Sequence, residues 1–284
     1  MIPVKEIPAA KSLIKLTKEN YYDTETDWPY MSVSLFKDFM KCEASTLANL
    51  NGNGITDTSE LPLLVGNWVH SAVESDEAHE EFKQDVADKA LTKSGALRSE
   101  FKQADLMIAR LKSDDFFNWA WQGEHESIVT GELFGTEWKG KIDCLDVENG
   151  RFFDLKTCAD PLRMVWSQRH GGRVLWTVAY GYLLQMSIYK HLLEQKYDRE
   201  FDPYIIAISK SNHPSIRTID LSQEYGRFQL EDDYVKKHLP RVLGIENGEI
   251  APRMCNHCDW CSDHQLGQNA VTIDQLEIEA NMNN

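Results

Sequence analysis

The sequence predicts one α/β domain in which helices flank a mixed central β-sheet and further helices extend the core. The chain has 284 residues, of which 42% are hydrophobic and 26% charged, and this is sufficient for one large soluble core. Its periodicities follow one another as helix, three strands, helix and strand, an order typical of a mixed sheet covered by helices. No internal repeat or low-complexity linker interrupts this order, so we expect residues 1–284 to form a single domain.

The N-terminal segment, residues 1–60, is expected to become helical in its second half. Residues 1–30 show little periodicity and are expected to wrap the surface. After them, Ser32 or Ser34 could cap a helix. The apolar residues that then recur at helical spacing are Leu35, Phe39, Leu47 and Leu50. The Asn- and Gly-rich run at 51–54 predicts the end of that helix.

The predicted core, residues 61–221, contains the strands. A helix is expected at 63–81, and charged helices at about 82–118 are expected to form an insertion over the surface. The later core elements are expected to be strands at 127–134, 137–146 and 151–157, a helix at 174–195 and a strand at 204–209. Residues 222–284 are then expected to contain a charged helix at 222–247 and a cysteine cluster.

Three charged residues are expected to converge beside a hairpin at Asn149-Gly150. An Asn-Gly pair is typical of a two-residue turn, because both positions tolerate positive φ. Such a turn places Asp143 opposite Lys156, and Asp154 shares the face of Lys156 because side chains alternate along a strand. A three-residue turn would shift the register and separate them.

This group of side chains has the chemistry that phosphodiester hydrolysis requires. Two carboxylates can hold one or two Mg²⁺ ions, which polarise the phosphate and activate water. A lysine beside them can orient or deprotonate that water and offset the charge of the transition state. The alternative is an exposed, salt-bridged hairpin, which is common in proteins.

Two helical pairs accompany the hairpin residues. His70 and Glu74 are four residues apart and share a helix face, so His70 could supply a nitrogen ligand to a metal. Gln185 and Tyr189 have the same spacing, with Tyr182 one turn earlier, and could hydrogen-bond to or stack on DNA. The alternatives are a core histidine satisfied by a backbone carbonyl and an ordinary aromatic core face.

The order and spacing of these residues resemble the RecB-type branch of the PD-(D/E)xK nucleases. Within this branch the sequence resembles phage and prophage proteins of the exonuclease VIII (RecE) type, over about residues 30–265. The matching segments are Gly66-x-x-x-His70, Gly140-Lys141-Ile142-Asp143, Asp154-Leu155-Lys156-Thr157 and Gln185-x-x-x-Tyr189. The sequence departs from the usual pattern with Asp154 where many relatives have Glu and Ile142 where the nominal motif has Pro.

The resemblance implies a restriction-endonuclease-like core and a role for each motif residue. Lys156 would be the catalytic lysine, and Gln185 and Tyr189 would belong to an auxiliary motif. The implied Mg²⁺ or Mn²⁺ ligands are His70, Asp143, Asp154 and the carbonyl oxygen of Leu155.

The resemblance also implies a biological role. It suggests an exodeoxyribonuclease that degrades linear duplex DNA from its ends in a bacterial host cell, as a homo-oligomer with a RecT-type single-strand annealing partner. One alternative is an iron–sulfur nuclease that processes DNA ends, akin to the CRISPR-associated adaptation nucleases. Another is a non-catalytic DNA-end-binding subunit, which the intact Asp143, Asp154 and Lys156 argue against.

Charge and compartment constrain these functions. The net charge of −15 gives little long-range attraction for DNA, so binding would need a local basic channel. Such a channel could be lined by Arg163, Arg169, Arg173 and Lys210. No apolar run approaches the roughly 20 residues that cross a bilayer, and the N-terminus lacks the pattern of a signal peptide. We therefore expect a cytoplasmic protein with reduced cysteines and no membrane partner.

The C-terminal cysteines predict a second metal centre. Cys255, Cys258 and Cys261 have the C-x-x-C-x-x-C spacing of zinc or iron–sulfur ligands. The segment from Ser32 to Cys42 resembles the S-x-S-x-x-x-x-F-x-x-C segment of AddB-like nucleases, which implies that Cys42 is the fourth ligand of a [4Fe–4S] cluster. Zinc with a histidine as fourth ligand (His257 or His264) is the main alternative, and unligated thiols are another. Cys144 and Cys158 are expected to be buried as small hydrophobic residues.

Overall fold

The computed structural model describes residues 13–54, 61–264 and 272–282, so the expectation for residues 1–12 lies outside the described residues. The helices that precede the sheet are α1 (Val33–Lys41), α2 (Glu43–Leu50), α3 (Leu61–Glu74), α4 (Asp76–Asp85), α5 (Ala87–Ala90), α6 (Ser99–Lys112) and α7 (Asp115–Ala120). They occupy the regions where helices were predicted, but several predicted helices are divided in two.

Two of these divisions have identifiable causes. Ser32 caps α1 as predicted, because its side chain accepts a hydrogen bond from Leu35 N–H. The helix then breaks at Cys42, whose extended backbone (φ −159°, ψ 105°) ends α1 and caps α2. The helix predicted at 63–81 breaks at Ser75, which caps α4 in the same manner as Ser32 caps α1.

The remaining elements build a mixed sheet and its covering helices. The strands are β1 (Glu124–Leu133), β2 (Thr136–Asp146), β3 (Arg151–Cys158), β4 (Met164–Ser167), β5 (Gly172–Leu175), β6 (Asp202–Ser209) and β7 (Ile216–Asp220). The helices are α8 (Trp176–Ala179), α9 (Tyr182–Tyr197), α10 (Tyr225–Glu246), α11 (Asp259–His264) and α12 (Ile273–Met282). The sheet has the order β1-β2-β3-β6-β7, in which β3 and β6 are parallel and all other neighbours antiparallel. This confirms the predicted α/β class, whereas β7 and the separate β4–β5 hairpin were not predicted.

The turn between β2 and β3 differs from the prediction. Asp146 pairs with Arg151, so the turn has four residues (147–150) and the predicted two-residue turn is wrong. The Asp146 carboxylate holds the wider turn, because it accepts hydrogen bonds from Asn149 and Arg151. The pairing is shifted by two residues, which places Asp143 level with Asp154. Since side chains alternate with period two, the shift leaves Asp143, Asp154 and Lys156 on one face.

The sheet separates two hydrophobic cores. The first contains side chains from α1, α9 and α10, and the second contains side chains from α3, α6 and α7. Phe152 lies in the first core and its neighbour Phe153 in the second, as strand alternation requires. Asp154 therefore faces α9 together with Phe152.

The helices at 82–118 do not form an insertion over the surface. The inner residues of α6 are fully buried against α3 and the sheet; they are Phe101, Ala104, Met107 and Leu111. Their spacing of three or four residues is that of an amphipathic helix, and the many charged residues between them obscured it. These helices complete the second core.

The described part of the N-terminal segment packs against the sheet, and a buried lysine fixes it. Met31 pairs with Trp138 of β2. Lys139 is 2% exposed, and its ammonium contacts Asp27 at 2.8 Å, Thr26 Oγ1 at 2.7 Å and the Tyr21 carbonyl at 2.9 Å. This cluster satisfies the buried charge and holds residues 21–27 beside the sheet. Among the helices of the described residues, none is long and apolar enough to span a membrane.

Candidate active site

Three potential metal ligands converge between α3 and the strands β1 and β2. His70 of α3, Glu126 of β1 and Asp143 of β2 each place one donor atom so that all three atoms lie within 4.8 Å of one another. His70 Nδ1 is 3.5 Å from Asp143 Oδ2. The backbone of Leu155 completes the group. Its N–H donates to Asp143 Oδ2 at 2.7 Å, and its carbonyl oxygen accepts a hydrogen bond from the His70 ring.

The second half of the site lies next to this group on β3. Lys156 Nζ is 2.7 Å from Asp154 Oδ2 and 2.9 Å from Oδ1, and Gln185 Nε2 donates to Oδ1 at 2.8 Å. Asp154 is 1% exposed. Within the described residues its Oδ2 atom accepts no hydrogen bond of regular geometry, although Lys156 Nζ lies 2.7 Å away as an ionic contact. A buried carboxylate oxygen in this condition has a free lone pair for a cation.

The electrostatics show an excess of buried negative charge. Burial raises the pKa of Asp143 to about 6 and is only partly offset by Lys156. Burial likewise raises the pKa of Asp154 to about 6, and the charge of Asp143 adds to this effect. Burial lowers the pKa of His70, which favours the neutral ring that can ligate a metal. Burial would lower the pKa of Lys156, but the two aspartates outweigh it and raise that pKa.

The donor set fits a divalent cation. Carboxylate and carbonyl oxygens are the usual ligands of Mg²⁺ and Mn²⁺, and Mn²⁺ also binds a neutral imidazole. A bound cation would also stabilise the charged forms of both aspartates, whose pKa values are raised chiefly by burial.

Gln185 and Tyr189 of α9 have different positions in the site. Gln185 contacts Asp154 directly. Tyr189 is 9% exposed, its hydroxyl accepts a hydrogen bond from Lys141 N–H, and its ring packs on Gly140. A Cβ atom at Gly140 would lie 2.8 Å from Tyr189 Cε1, which explains why this position is glycine. Tyr189 thus positions the strand that carries Asp143.

Glu126 is the site residue that the sequence reasoning missed. It lies opposite Asp143 at a position that the β1–β2 pairing omits, and its φ of 56° is left-handed, a conformation rare for this residue type. Its carboxylate forms an ion pair with Lys141. Backbone strain of this kind clusters at functional sites. No spacing rule indicated Glu126, because the local sequence gives no sign of the irregular pairing.

One cleft of about 1180 Å³ is lined by His70, Glu126, Asp143, Lys156, Gln185 and Tyr189, whereas the buried Asp154 is not among its lining residues. Lys37 of α1 and Lys210, which follows β6, also line it. Burial lowers the pKa of both lysines, that of Lys37 to about 8, and neither forms a salt bridge within the described part of the chain. An anionic ligand such as a phosphate would stabilise the charged form of these two partly buried ammonium groups.

The arginines expected in a basic channel are distributed differently. Lys210 lines the cleft, but Arg169 is ion-paired with Glu231 at 2.7 Å and lies over the Tyr234 ring. Arg163 and Arg173 are exposed on or beside the β4–β5 hairpin. The positive charge inside the cleft therefore comes from lysines.

The four cysteines predicted as ligands form a separate cluster. Their Sγ atoms all lie within 4.8 Å of one another; the residues are Cys42, Cys255, Cys258 and Cys261. Partial burial opposes ionisation of Cys255, but N–H groups of the following turn donate to its sulfur and lower its pKa to about 7. Cys144 and Cys158 are buried elsewhere, as predicted.

The cluster joins two distant parts of the chain. Cys42 Sγ lies 3.5 Å from Cys261 Sγ, across 219 residues of sequence. The adjacent Glu43 binds Arg241 of α10 through both carboxylate oxygens at 2.7 Å and accepts a hydrogen bond from Arg253 N–H. Thus an ion pair supports the same junction independently of any metal.

Comparison with known proteins agrees with this architecture. Residues 32–264 match a family described as a PDDEXK-like domain of unknown function (DUF3799). A crystal structure described as a "Putative exonuclease" from Eubacterium rectale is 33% identical, with a TM-score of 0.85 over 93% of this chain and 98% of that one.

The structure of SSO0001 is 13% identical, with a TM-score of 0.31 over 80% of this chain and 91% of that one. No curated protein matches the chain. The family match covers both halves of the site and the cysteine cluster, and the fold is restriction-endonuclease-like. The chain is therefore a member of the PDDEXK-like family whose model it matches.

Proposed function

We propose that this chain is a metal-dependent deoxyribonuclease that hydrolyses phosphodiester bonds at the ends of linear duplex DNA. The observation that carries the proposal is the convergence of His70, Glu126 and Asp143 in one cleft, beside Lys156 and the buried Asp154. Four separate elements contribute to the group: α3, β1, β2 and β3. The similarity to the Eubacterium rectale structure, which is described as a "Putative exonuclease", supports the same chemistry.

The residues divide into binding and positioning roles. His70, Glu126, Asp143, Asp154 and the Leu155 carbonyl would hold Mg²⁺ or Mn²⁺. When bound, the ion supplies a polarised phosphate and an activated water. Lys156, held against Asp154, would orient the attacking water and stabilise the charge that develops on the phosphate. Gln185 would fix the Asp154 carboxylate, and Lys37 and Lys210 would contact DNA phosphates.

The finer biological role rests on the sequence resemblance to RecE-like nucleases. It supports action from duplex ends in recombination, with a RecT-type single-strand annealing partner and a homo-oligomer that encloses DNA. The alternative of a non-catalytic DNA-end-binding subunit is disfavoured by the complete carboxylate and lysine group. Cytoplasmic location follows from the same resemblance.

We propose zinc as the metal of the cysteine cluster. With Zn–S bonds of about 2.3 Å, tetrahedral coordination places sulfurs about 3.8 Å apart. The Sγ distances of 3.5 Å between Cys42 and Cys261 and 3.8 Å between Cys255 and Cys261 fit this spacing. In a [4Fe–4S] cluster each cysteine binds a different iron, so the sulfurs lie further apart. The spacing therefore favours zinc over the [4Fe–4S] cluster that the resemblance implies. It equally disfavours the alternative of an iron–sulfur nuclease that processes DNA ends.

One experiment tests the activity and its dependence on ends. Equal amounts of linear and relaxed closed-circular plasmid are incubated with the protein and Mg²⁺ at moderate salt, with a chelator in a parallel reaction. We expect the linear DNA to be degraded and the circle to survive, and no degradation by Lys156→Ala. Nicking of the circle by the wild type, absent from the Lys156→Ala sample, would indicate an endonuclease. Absence of cleavage of either form would refute the proposed chemistry.

A further inference from the structure

The β4–β5 hairpin presents an exposed apolar face to solvent. Met164 and Trp166 alternate along β4 and are 46% and 70% exposed, and Leu162 just before them is 69% exposed. The hairpin is not part of the main sheet. Its other face packs on the buried Trp176 through Val165. The exposed side chains therefore contribute little to the fold.

The hairpin is also basic, although the chain as a whole is acidic. Residues 162–175 contain three arginines and no acidic residue, in a chain with a net charge of −15. Arg173 pairs with Trp166 across the two strands, so its guanidinium belongs to the same face as the indole. Arg169 anchors the hairpin tip to α10 through Glu231. This leaves Arg163 and Arg173 exposed to solvent.

A series of aromatic contacts connects the hairpin region with the active site. Tyr180 is 47% exposed, and its ring contacts Tyr182 with centroids 6.4 Å apart. Tyr182 also contacts Trp176, at 5.5 Å. The ammonium of Lys156 lies 4.9 Å from the centroid of the Tyr182 ring. Tyr182 thus links both Tyr180 and the buried Trp176, on which the hairpin packs, to the catalytic lysine.

From these features we propose that the hairpin and Tyr180 bind an unpaired DNA strand next to the scissile phosphate. This inference rests on the proposed nuclease function. Bases would stack on Trp166 and Tyr180, while Arg163 and Arg173 would contact phosphates. Exposed aromatic rings interleaved with arginines are the means by which proteins bind single strands without sequence preference. In duplex DNA the base faces are covered by neighbouring base pairs, so this surface would select a strand that has separated at the end.

The test is DNA binding without cleavage, with Ca²⁺ in place of Mg²⁺. Fluorescence anisotropy is measured with a labelled 20-nucleotide oligothymidylate and with a blunt 20-base-pair duplex. The variants are Trp166→Ala and Tyr180→Ala. The control is Phe116→Ala, which removes a 45% exposed aromatic side chain from α7, a helix that packs in the second core. All three side chains are exposed, so circular dichroism is expected to show intact folding.

We expect Trp166→Ala and Tyr180→Ala each to weaken single-strand binding about 5- to 100-fold, the effect of losing one stacked base, with little change for Phe116→Ala. Blunt-duplex binding should change less than twofold. Unchanged single-strand affinity in both variants, with wild-type DNA binding intact, would overturn the inference and leave the proposed function standing. Failure of the wild type to bind any DNA would refute the proposed function itself. A lower sedimentation coefficient of the variants without a change in DNA binding would show that the face joins two copies of the chain.

Discussion

Glu126 shows how a single residue can alter the chemistry of the site. Its left-handed backbone turns the carboxylate towards His70 and Asp143, and the fold accepts the strain. If Glu126 is a ligand, the neutral amide of Glu126→Gln should bind the cation more weakly. We expect the Mg²⁺ concentration needed for half-maximal cleavage to rise about 10- to 100-fold, as is typical when support for a metal site is lost.

The control for this prediction is Glu132→Gln, which changes an exposed glutamate further along the same strand. It should leave the Mg²⁺ dependence unchanged. If Glu126→Gln retained the wild-type dependence, Glu126 would be only the ion-pair partner of Lys141.

The residues of the site were predictable where they form spaced motifs. Asp143, Asp154 and Lys156 lie together as expected, because strand alternation fixes which side chains share a face. His70 and Gln185 lie beside them, as the resemblance to PD-(D/E)xK nucleases implied, although periodicity alone could not bring separate helices to the strands. Glu126 was not predictable, since its position depends on an irregular pairing between β1 and β2. Lys37 was not predictable either, because it reaches the cleft from α1 through tertiary packing.

At the scale of elements, the β2–β3 hairpin shows that the two cores fix the register and the turn does not. Leu145 pairs with Phe152 in the first core, and Cys144 pairs with Phe153 in the second. These pairs keep the catalytic face correct although the turn has four residues. The sequence therefore predicted the correct face with an incorrect turn.

This leads to a prediction about turn length. Deleting residues 147 and 148 would leave an Asn-Gly turn between Asp146 and Arg151, whose pairing can persist. Because loop length has a small energetic effect, we expect nuclease activity within about twofold of wild type. Plasmid degradation by the deletion variant measures this. Loss of activity in a folded variant would mean that the turn sets the register after all.

Contact between β2 and α9 gives another prediction at this scale. In Gly140→Ala the new methyl would lie 2.8 Å from the buried Tyr189 ring, so the strand or the ring must move. We expect a loss of about 1–3 kcal/mol in the free energy of unfolding, which is typical of overpacking, and reduced cleavage. Urea denaturation provides the measurement.

A matched glycine variant separates overpacking from a general effect of the substitution. Gly226→Ala in α10 adds a methyl with no atom within 4 Å and should be neutral or slightly stabilising. Equal destabilisation of both variants would contradict the explanation from the Tyr189 contact.

Other elements illustrate why the sequence was only partly informative about the fold. Strands β1, β2, β3 and β6 lie close to their predicted positions, because β-branched and aromatic residues are frequent in them. Helix α10 also lies close to its predicted position. The β4–β5 hairpin has four-residue strands with little burial and no alternation of polarity that would reveal it. Strand β7 is half-exposed at the sheet edge, where packing imposes a weak pattern.

At the scale of the whole molecule, the cysteine cluster should contribute measurably to stability. Metal removal would leave the junction of α2 with the later residues to the Glu43–Arg241 ion pair and to the packing of Ala44 and Ala48 with Trp260. We expect a chelator to lower Tm by on the order of 10 °C, since structural zinc sites couple directly to folding. Differential scanning calorimetry measures the change, and Cys42→Ala with chelator should show no further decrease.

Elemental analysis of the purified protein distinguishes the metals. One zinc per chain agrees with the proposal, whereas four irons per chain and a brown colour would replace it with a [4Fe–4S] cluster. Absence of both metals in carefully prepared protein would leave free thiols as the explanation.

The cysteine junction also affects the order in which the chain can assemble during synthesis. Cys42 is made 219 residues before Cys261, the partner that its sulfur contacts. The attachment of α2 to the C-terminal cysteines is therefore complete only after residues up to Cys261 have left the ribosome. Lys37, which lines one wall of the cleft, belongs to α1, the helix that ends at Cys42. We therefore expect this wall of the cleft to be held in place late in a nascent chain, after the sheet and α9 have been synthesised.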